Sequence, residues 1–295
     1  MLLDGSLLIL AGIVLIAGLM LAARRGQRLL WERQNLSAAQ RIVALAAGLM
    51  VFLGIWYLGN ALNPTGPTRI PTPQATVIAA INYLGDTGWL DVVVSMTRVL
   101  VSFSIAAAIS MLLAFLFAMH SVTTSAFSPP LSFIRYIPPT AFTALLVIYF
   151  GIGEFYKSSV IFVGVFFFNF RMTLDILEDF DVRYIELARL TGESFRRRQG
   201  VWWLFRTTVI PASWPRLWDM LRINLSFAWT FLVVAETVGA NNGLGKSLYL
   251  AQRFFRVEDV YACILLFGVI GLTFDAAMAQ LKRMLFRWHD ESTSR

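Results

Sequence analysis

Residues 92–119 read VVVSMTRVLVSFSIAAAISMLLAFLFAM. Apart from Arg98 the run carries no charge, and it exceeds the roughly 20 apolar residues a helix needs to cross a bilayer. A soluble chain breaks its apolar stretches within a few turns. The apolar and polar positions do not alternate with a period of two, as they would along a barrel strand, so a membrane-spanning helix is the solution that remains. The rest of the chain agrees. Of its 295 residues 57% are hydrophobic and 15% charged, against about a quarter charged in an average soluble domain, and the mean hydropathy is +0.65.

Upstream of this third span, Asn63 to Pro73 (NPTGPTRIPTP) is too rich in proline and glycine to continue a helix. The run QATVIAAINYL after Pro73 predicts a short helix at the outer surface, and Gly85 to Asp91 returns the chain to the membrane. A second span is expected at about Ile42 to Leu62. Before it, the apolar part of Met1 to Ala23 is followed by Arg24 and Arg25. A signal peptide carries its positive charge ahead of the apolar core, so this segment reads as a retained first span with its N-terminus outside.

Downstream, His120 to Ile137 reads as a turn region because of Pro129 and Pro130. Pro138 and Pro139 open a fourth span that ends near Gly151 and Gly153, since proline is tolerated in a first helical turn. The fifth span, about Ser158 to Leu177, carries Arg171 and Asp175 at i and i+4, the spacing of a local ion pair. A sixth span is expected over Trp214 to Val238 and a seventh over Val260 to Leu281. Between them lies a polar, glycine-containing segment, GANNGLGKSLYLAQRFFRVED. Seven spans with the N-terminus outside put eighteen of the 25 basic residues on cytoplasmic segments and six outside, the bias that the positive-inside rule requires. The net charge of +7 is thereby explained without a nucleic-acid partner.

Glu186 to Pro211, ELARLTGESFRRRQGVWWLFRTTVIP, is the one long basic segment between apolar runs. Its arginines beside Trp202, Trp203, Leu204 and Phe205 suit an amphipathic helix that docks on a protein or at the membrane interface. Catalytic signatures are missing. Gly245-Lys246-Ser247 resembles the end of a phosphate loop, but position 240 is Ala240 where that motif needs glycine, so any ATP must sit on another chain. His120 and His289 are isolated from each other, and the single cysteine, Cys263, lies in an apolar run. No metal-ligand set, disulfide or nucleophile motif follows from them.

Charge within the membrane is costly and points to function. Glu236, at the end of the sixth span, is followed by Thr237, Asn241 and Asn242; it either lines a gate or bonds the backbone of the broken helix. Asp275 lies late in the seventh span, where hydration at the inner surface is an alternative to a buried role. Trp229 reads either as packing or as part of a path. Lys246, Arg253 and Arg256 favour an anionic solute by steering, while Glu236, Glu258 and Asp259 oppose it.

Several of these segments together resemble a known family. Arg135-Tyr136-Ile137-Pro138-Pro139 leads to Gly151-Ile152-Gly153; Glu186, Ala188 and Gly192 match an E-x-A-x-x-x-G loop closed by Ile210-Pro211; and Ala228-Trp229, Leu232-Val233, Ala235-Glu236, Gly239-Ala240 and Gly243-Leu244-Gly245 follow in order. The chain is similar to permease subunits of ATP-binding-cassette importers, of the branch that includes nitrate, sulfonate, taurine and bicarbonate systems. The resemblance implies an all-α polytopic protein of the bacterial inner membrane: a six-helix type I importer core over residues 41–288, preceded at 1–40 by an extra transmembrane helix and basic loop, with a cytoplasmic tail at 289–295. It implies a second permease copy or homologue, two cytoplasmic ATPase subunits that hold ATP and magnesium, an extracytoplasmic binding protein and surrounding lipid as partners. No cofactor and no catalytic residue are then expected in this chain. Residues 181–213 become the coupling loop, with Glu186, Leu187, Ala188, Gly192 and Pro211 engaging the ATPase. Arg196, Arg197 and Arg198, in a stretch longer than the family spacing, are expected to contact the ATPase or anionic lipid. Pro138, Pro139, Trp229, Glu236, Asn241 and Asn242 are the expected path or gate residues.

Two other classes compete. An ion-coupled secondary transporter would show inverted repeats and paired intramembrane acids, and no repeat is visible. A membrane-anchored sensor would use the basic loop as a lipid-binding patch but leaves the polar break after Glu236 unexplained.

Overall fold

In a computed structural model of the protein, the structure describes residues 6–7, 9–15, 17, 38–63, 70–181, 183–184, 186, 201–239 and 241–288. Those residues form helices joined by short turns, with no strand among them. The principal helices are α1 (Ala38–Leu62), α2 (Pro73–Tyr83), α3 (Trp89–Ala118), α4 (Ser121–Tyr136), α5 (Phe142–Phe150), α6 (Glu154–Glu178), α7 (Ile210–Thr237), α8 (Leu244–Arg253) and α9 (Val257–Leu285). Among the described residues five helices are long and apolar enough to cross a membrane, or six if the bent pair α4–α5 counts as one span. The first expected span falls mostly outside the described residues; positions 6–7, 9–15 and 17 are helical.

The chain divides into two compact units. One comprises residues 1–85 and 250–265. Here α2 starts as its sequence dictates: the Thr72 hydroxyl accepts from the Ala75 N–H at 3.2 Å and Pro73 occupies the first turn, where a missing N–H costs nothing. The proline-rich segment is pinned to α1 by Trp56 Nε1 donating to the Pro71 carbonyl at 2.9 Å and by Asn60 Nδ2 donating to that of Ile70. Close approach by the N-terminal helical residues is made through Gly12, where a β-carbon would stand 2.9 Å from the Ala47 carbonyl oxygen.

The other unit comprises residues 86–249 and 266–295. Its core is a three-helix layer in which α6 packs against both α3 and α7. Val99, Phe103, Ala106 and Ala107 of α3 meet Ile161 and Val165 of α6 and Leu225, Ala228, Phe231 and Leu232 of α7. Small residues permit the approach, as expected where lipid offers no hydrophobic drive between helices: a β-carbon on Gly164 would enter the Phe231 ring. A buried polar pair joins α6 and α7, Asn224 Nδ2 donating to Asn169 Oδ1 at 2.6 Å.

Residues 120–137 depart from the expected turn. They form α4, with Pro129 and Pro130 inside it. The carbonyls that these prolines leave without intrahelical donors belong to Ser125 and Ala126, both exposed, and tertiary contacts hold the helix in place. Phe127 lies 4.8 Å from the Phe117 ring centre, and Arg171 Nη1 donates to Ser128 Oγ at 2.7 Å. The break comes instead at Ile137, which is extended ahead of Pro138 as a residue before proline prefers. A 75° bend there joins α4 to the short α5. Pro211 is absorbed differently: a helical turn, Val201–Leu204, continues through a π turn, Phe205–Val209, into α7. The π turn widens the ladder just where proline has no N–H to donate.

Candidate functional site

The polar site of the second unit grows from Arg98, the basic residue of the stretch 92–119. It lies on the α3 face that carries Ser95, Val99 and Ser102 into the core. At 8% exposure its guanidinium cannot be left to water, and its fork is filled by protein. Nε and Nη2 donate to the two oxygens of Glu154 at 2.6 and 2.7 Å, while Nη1 donates to Glu236 Oε1 at 2.6 Å and to the Asn242 carbonyl at 2.7 Å. Lys157, 2% exposed, donates to Glu154 Oε1 at 2.7 Å.

Glu236 ends α7 at 1% exposure. Besides Arg98 it accepts from Ser95 Oγ at 2.7 Å and from the Gly245 N–H at 2.7 Å. The latter contact belongs to a wider arrangement at the start of α8. Gly243 N–H donates to Asp91 Oδ1 at 2.7 Å, Leu244 N–H to Ser95 Oγ at 2.9 Å, and Ser247 Oγ to Asp91 Oδ2 at 2.9 Å. The first N–H groups of a helix have no partner within it, and the helix dipole favours negative charge there. Two carboxylates from elsewhere in the fold supply both needs. The segment that resembled a phosphate loop therefore has its donors already engaged.

The turn that brings α8 back is specific to glycine. Gly243 sits at φ +132°, and a β-carbon would collide with the Glu236 carboxylate; at Gly245 it would stand 2.9 Å from Glu236 Oε2. The arrangement fixes the starts of α3, α6 and α8 and the end of α7 at one point. It is a charged clamp. Since α3 and α6 both start at this point, the chain recrosses between them through α4 and α5.

The expected site residues separate in space. Glu236 and Asn242 belong to the clamp, Asn242 through its backbone carbonyl, while the Asn241 carbonyl accepts from Lys246 Nζ. Trp229 is buried in the core between Phe267 and Phe274, its Nε1 without a partner among the described residues. Pro138 is exposed and Pro139 half-buried at the bend before α5. Glu186 is helical and exposed, and Pro211 is exposed in the first turn of α7; Leu187, Ala188, Gly192, Arg196, Arg197 and Arg198 lie outside the described residues. Near the same segment Asp181 accepts from the Arg183 side chain at 2.8 Å and from its backbone N–H, which holds the Asp181 carboxyl below its usual value.

Ion pairs elsewhere match simple spacing or longer reach. Arg171 Nη2 lies 2.6 Å from Asp175, the i to i+4 pair expected from sequence. Asp275 pairs with Arg222 of α7, a contact no local pattern announces. Arg98, Glu154 and Lys157 were likewise readable only as isolated charges near span ends. The available signal was the cost of Arg98 within an apolar run, which demands a partner without naming it.

Comparison with known proteins bears on this geometry. Residues 106–287 match the family described as binding-protein-dependent transport system inner membrane component. A probable ABC transporter permease protein of Brucella melitensis is 30% identical, over 84% of this chain and 99% of that protein. The putative aliphatic sulfonates transport permease protein SsuC of Bacillus subtilis is 28% identical over 81% of this chain and 85% of its own. The taurine transport system permease protein TauC of Escherichia coli is 28% identical over 85% and 92%.

Proposed function

The chain belongs to the family of binding-protein-dependent transport system inner membrane components, and from that premise we propose how it works as the multi-pass permease subunit of an ABC importer. Two such permease chains, this one and a second copy or homologue, enclose the path of a small anionic solute. An extracytoplasmic binding protein delivers the solute, and two cytoplasmic ATPase subunits supply the energy and hold the ATP and magnesium. The N-terminus lies outside and the C-terminus inside. The solute is of the sulfonate, taurine, bicarbonate or nitrate kind; the names of two relatives, for sulfonates and for taurine, support the first two.

The observation that carries the mechanism is the run of helix from Trp202 to Thr237, 36 residues. At 1.5 Å per residue it is a rod of about 54 Å. Its start follows directly on the segment with Glu186, Leu187, Ala188, Gly192 and Arg196 to Arg198, and its end is Glu236 in the clamp. ATP-driven closure of the ATPase pair moves the coupling segment, and the displacement travels along the rod, past the π turn and Pro211, to the far end. The switch is a two-state element biased by nucleotide. Pro138, Pro139, Trp229, Asn241 and Asn242 border the path, and Glu236 holds its walls.

The test is ATP-driven uptake in proteoliposomes containing the permease, its ATPase and its binding protein, with labelled taurine, an aliphatic sulfonate and bicarbonate as candidates. Replacing Gly192 or Glu186 is expected to uncouple ATP hydrolysis from uptake while membrane insertion persists. Uptake that continues without any ATPase would sink the reading.

A further inference from the structure

Glu154 holds an unusual position. Its side chain is 64% exposed, yet it neutralises two cations that are buried, Arg98 at 8% and Lys157 at 3%. Both carboxylate oxygens are used. Oε2 accepts from Arg98 Nε at 2.6 Å, and Oε1 accepts from Arg98 Nη2 at 2.7 Å and Lys157 Nζ at 2.7 Å. Among the described residues Lys157 has no other anionic partner, whereas Arg98 keeps Glu236 on its other side. Asp91, the remaining nearby acid, is engaged by Gly243 and Ser247 at the start of α8.

The three donors converge as they would on any two-oxygen anion. Without Glu154, Arg98 would lose one of its two carboxylate partners and Lys157 the one it has among the described residues, with both cations largely removed from water, a state with a steep desolvation cost. The occupant is also easy to displace. Glu154 is the first residue of α6, so only the first helical turn must yield to move it. It follows Gly151-Ile152-Gly153, in which Gly151 sits at φ +67°. Glu236, by contrast, is enclosed and bonded to a backbone N–H.

We infer that Arg98 and Lys157 form a binding site for a monovalent oxyanion, a sulfonate, carboxylate or bicarbonate group, which the Glu154 carboxylate fills until such an anion displaces it. The inference rests on the transport reading above in taking the solute to be anionic. It adds the site where the anionic group is received and the residue that guards it. Chloride lacks the paired oxygens that the guanidinium fork and the ammonium engage together.

The probe is methanesulfonate, with chloride and the neutral dimethyl sulfone as controls, added without ATP to the purified full-length chain in lipid nanodiscs and read by thermal unfolding. E154Q is expected to unfold at a lower temperature than wild type and to recover as methanesulfonate is added. Removing a tethered competitor, whose effective concentration is in the millimolar range or above, should lower the half-effective methanesulfonate concentration at least about tenfold relative to wild type. Adding K157Q to E154Q should abolish the response, and neither control should reproduce it. Equal responses to methanesulfonate and dimethyl sulfone, or a response that survives in the double variant, overturn the site. So does an E154Q protein that cannot be recovered folded even when purified throughout in methanesulfonate, because the free anion has then failed to replace the side chain. Loss of ATP-driven uptake in the wild-type assembly would count against the transport reading and leave this binding result standing.

Discussion

Replacing Arg98 with methionine removes a cation of similar length and reach from the clamp. Glu236 is 1% exposed and loses the one charged donor it has among the described residues, at 2.6 Å; Ser95 and the Gly245 N–H remain. Breaking a buried pair by removing one partner costs about 3–5 kcal/mol, chiefly because the surviving charge is left uncompensated. For a chain of this size that corresponds to a fall of roughly 5–15 °C in the unfolding midpoint. Cys263 is the single cysteine and is buried, so a thiol-reactive dye reports unfolding without further engineering. The decisive comparison is the double variant R98M/E236Q, which removes both charges and should regain at least about half of the loss, a coupling that additive sites do not show. A midpoint for R98M within 2 °C of wild type, on the order of 1 kcal/mol or less, would refute the reasoning. So would a double variant in which the two losses simply add.

Two further outcomes follow from the helix core. Gly164→Val places branched carbons where the Phe231 ring lies and should destabilise by about 1–3 kcal/mol, since overpacking forces side chains off their rotamers; the same dye assay reads it. Asn224→Leu removes the donor to Asn169 and should cost only about 0.5–2 kcal/mol, the scale of interhelical hydrogen bonds in membranes, with uptake retained.

Much of the fold was legible because a bilayer imposes a coarse and local rule. Each apolar run must be long enough to cross and must satisfy its own backbone. Five of the expected spans therefore reappear as α1, α3, α6, α7 and α9 with ends shifted by a few residues, and α2 starts at Thr72-Pro73 as its capping signals require. The reading failed at 120–137, where Pro129 and Pro130 suggested a turn. A proline reports only its local cost, and that cost was met by exposed carbonyls and by packing on Phe117 and Arg171.

The clamp shows the boundary more sharply. Sequence alone determined that this is a helical membrane protein, that Glu236 was expensive where it stood, that Arg98 lay in the first turns of an apolar span, and that the chain breaks at Gly239 to Gly245. It could not determine that these facts are one fact. Arg98 and Glu236 are separated by most of the transmembrane region, and Glu154, Lys157 and Asp91 look like ordinary charges at span ends. Their pairing depends on α3, α6 and α7 packing in one layer with these ends together, which is set by side-chain shape along whole helices, down to the absence of a β-carbon at Gly164. Local periodicity specifies which residues face inward; only the packed structure decides which buried charge meets which.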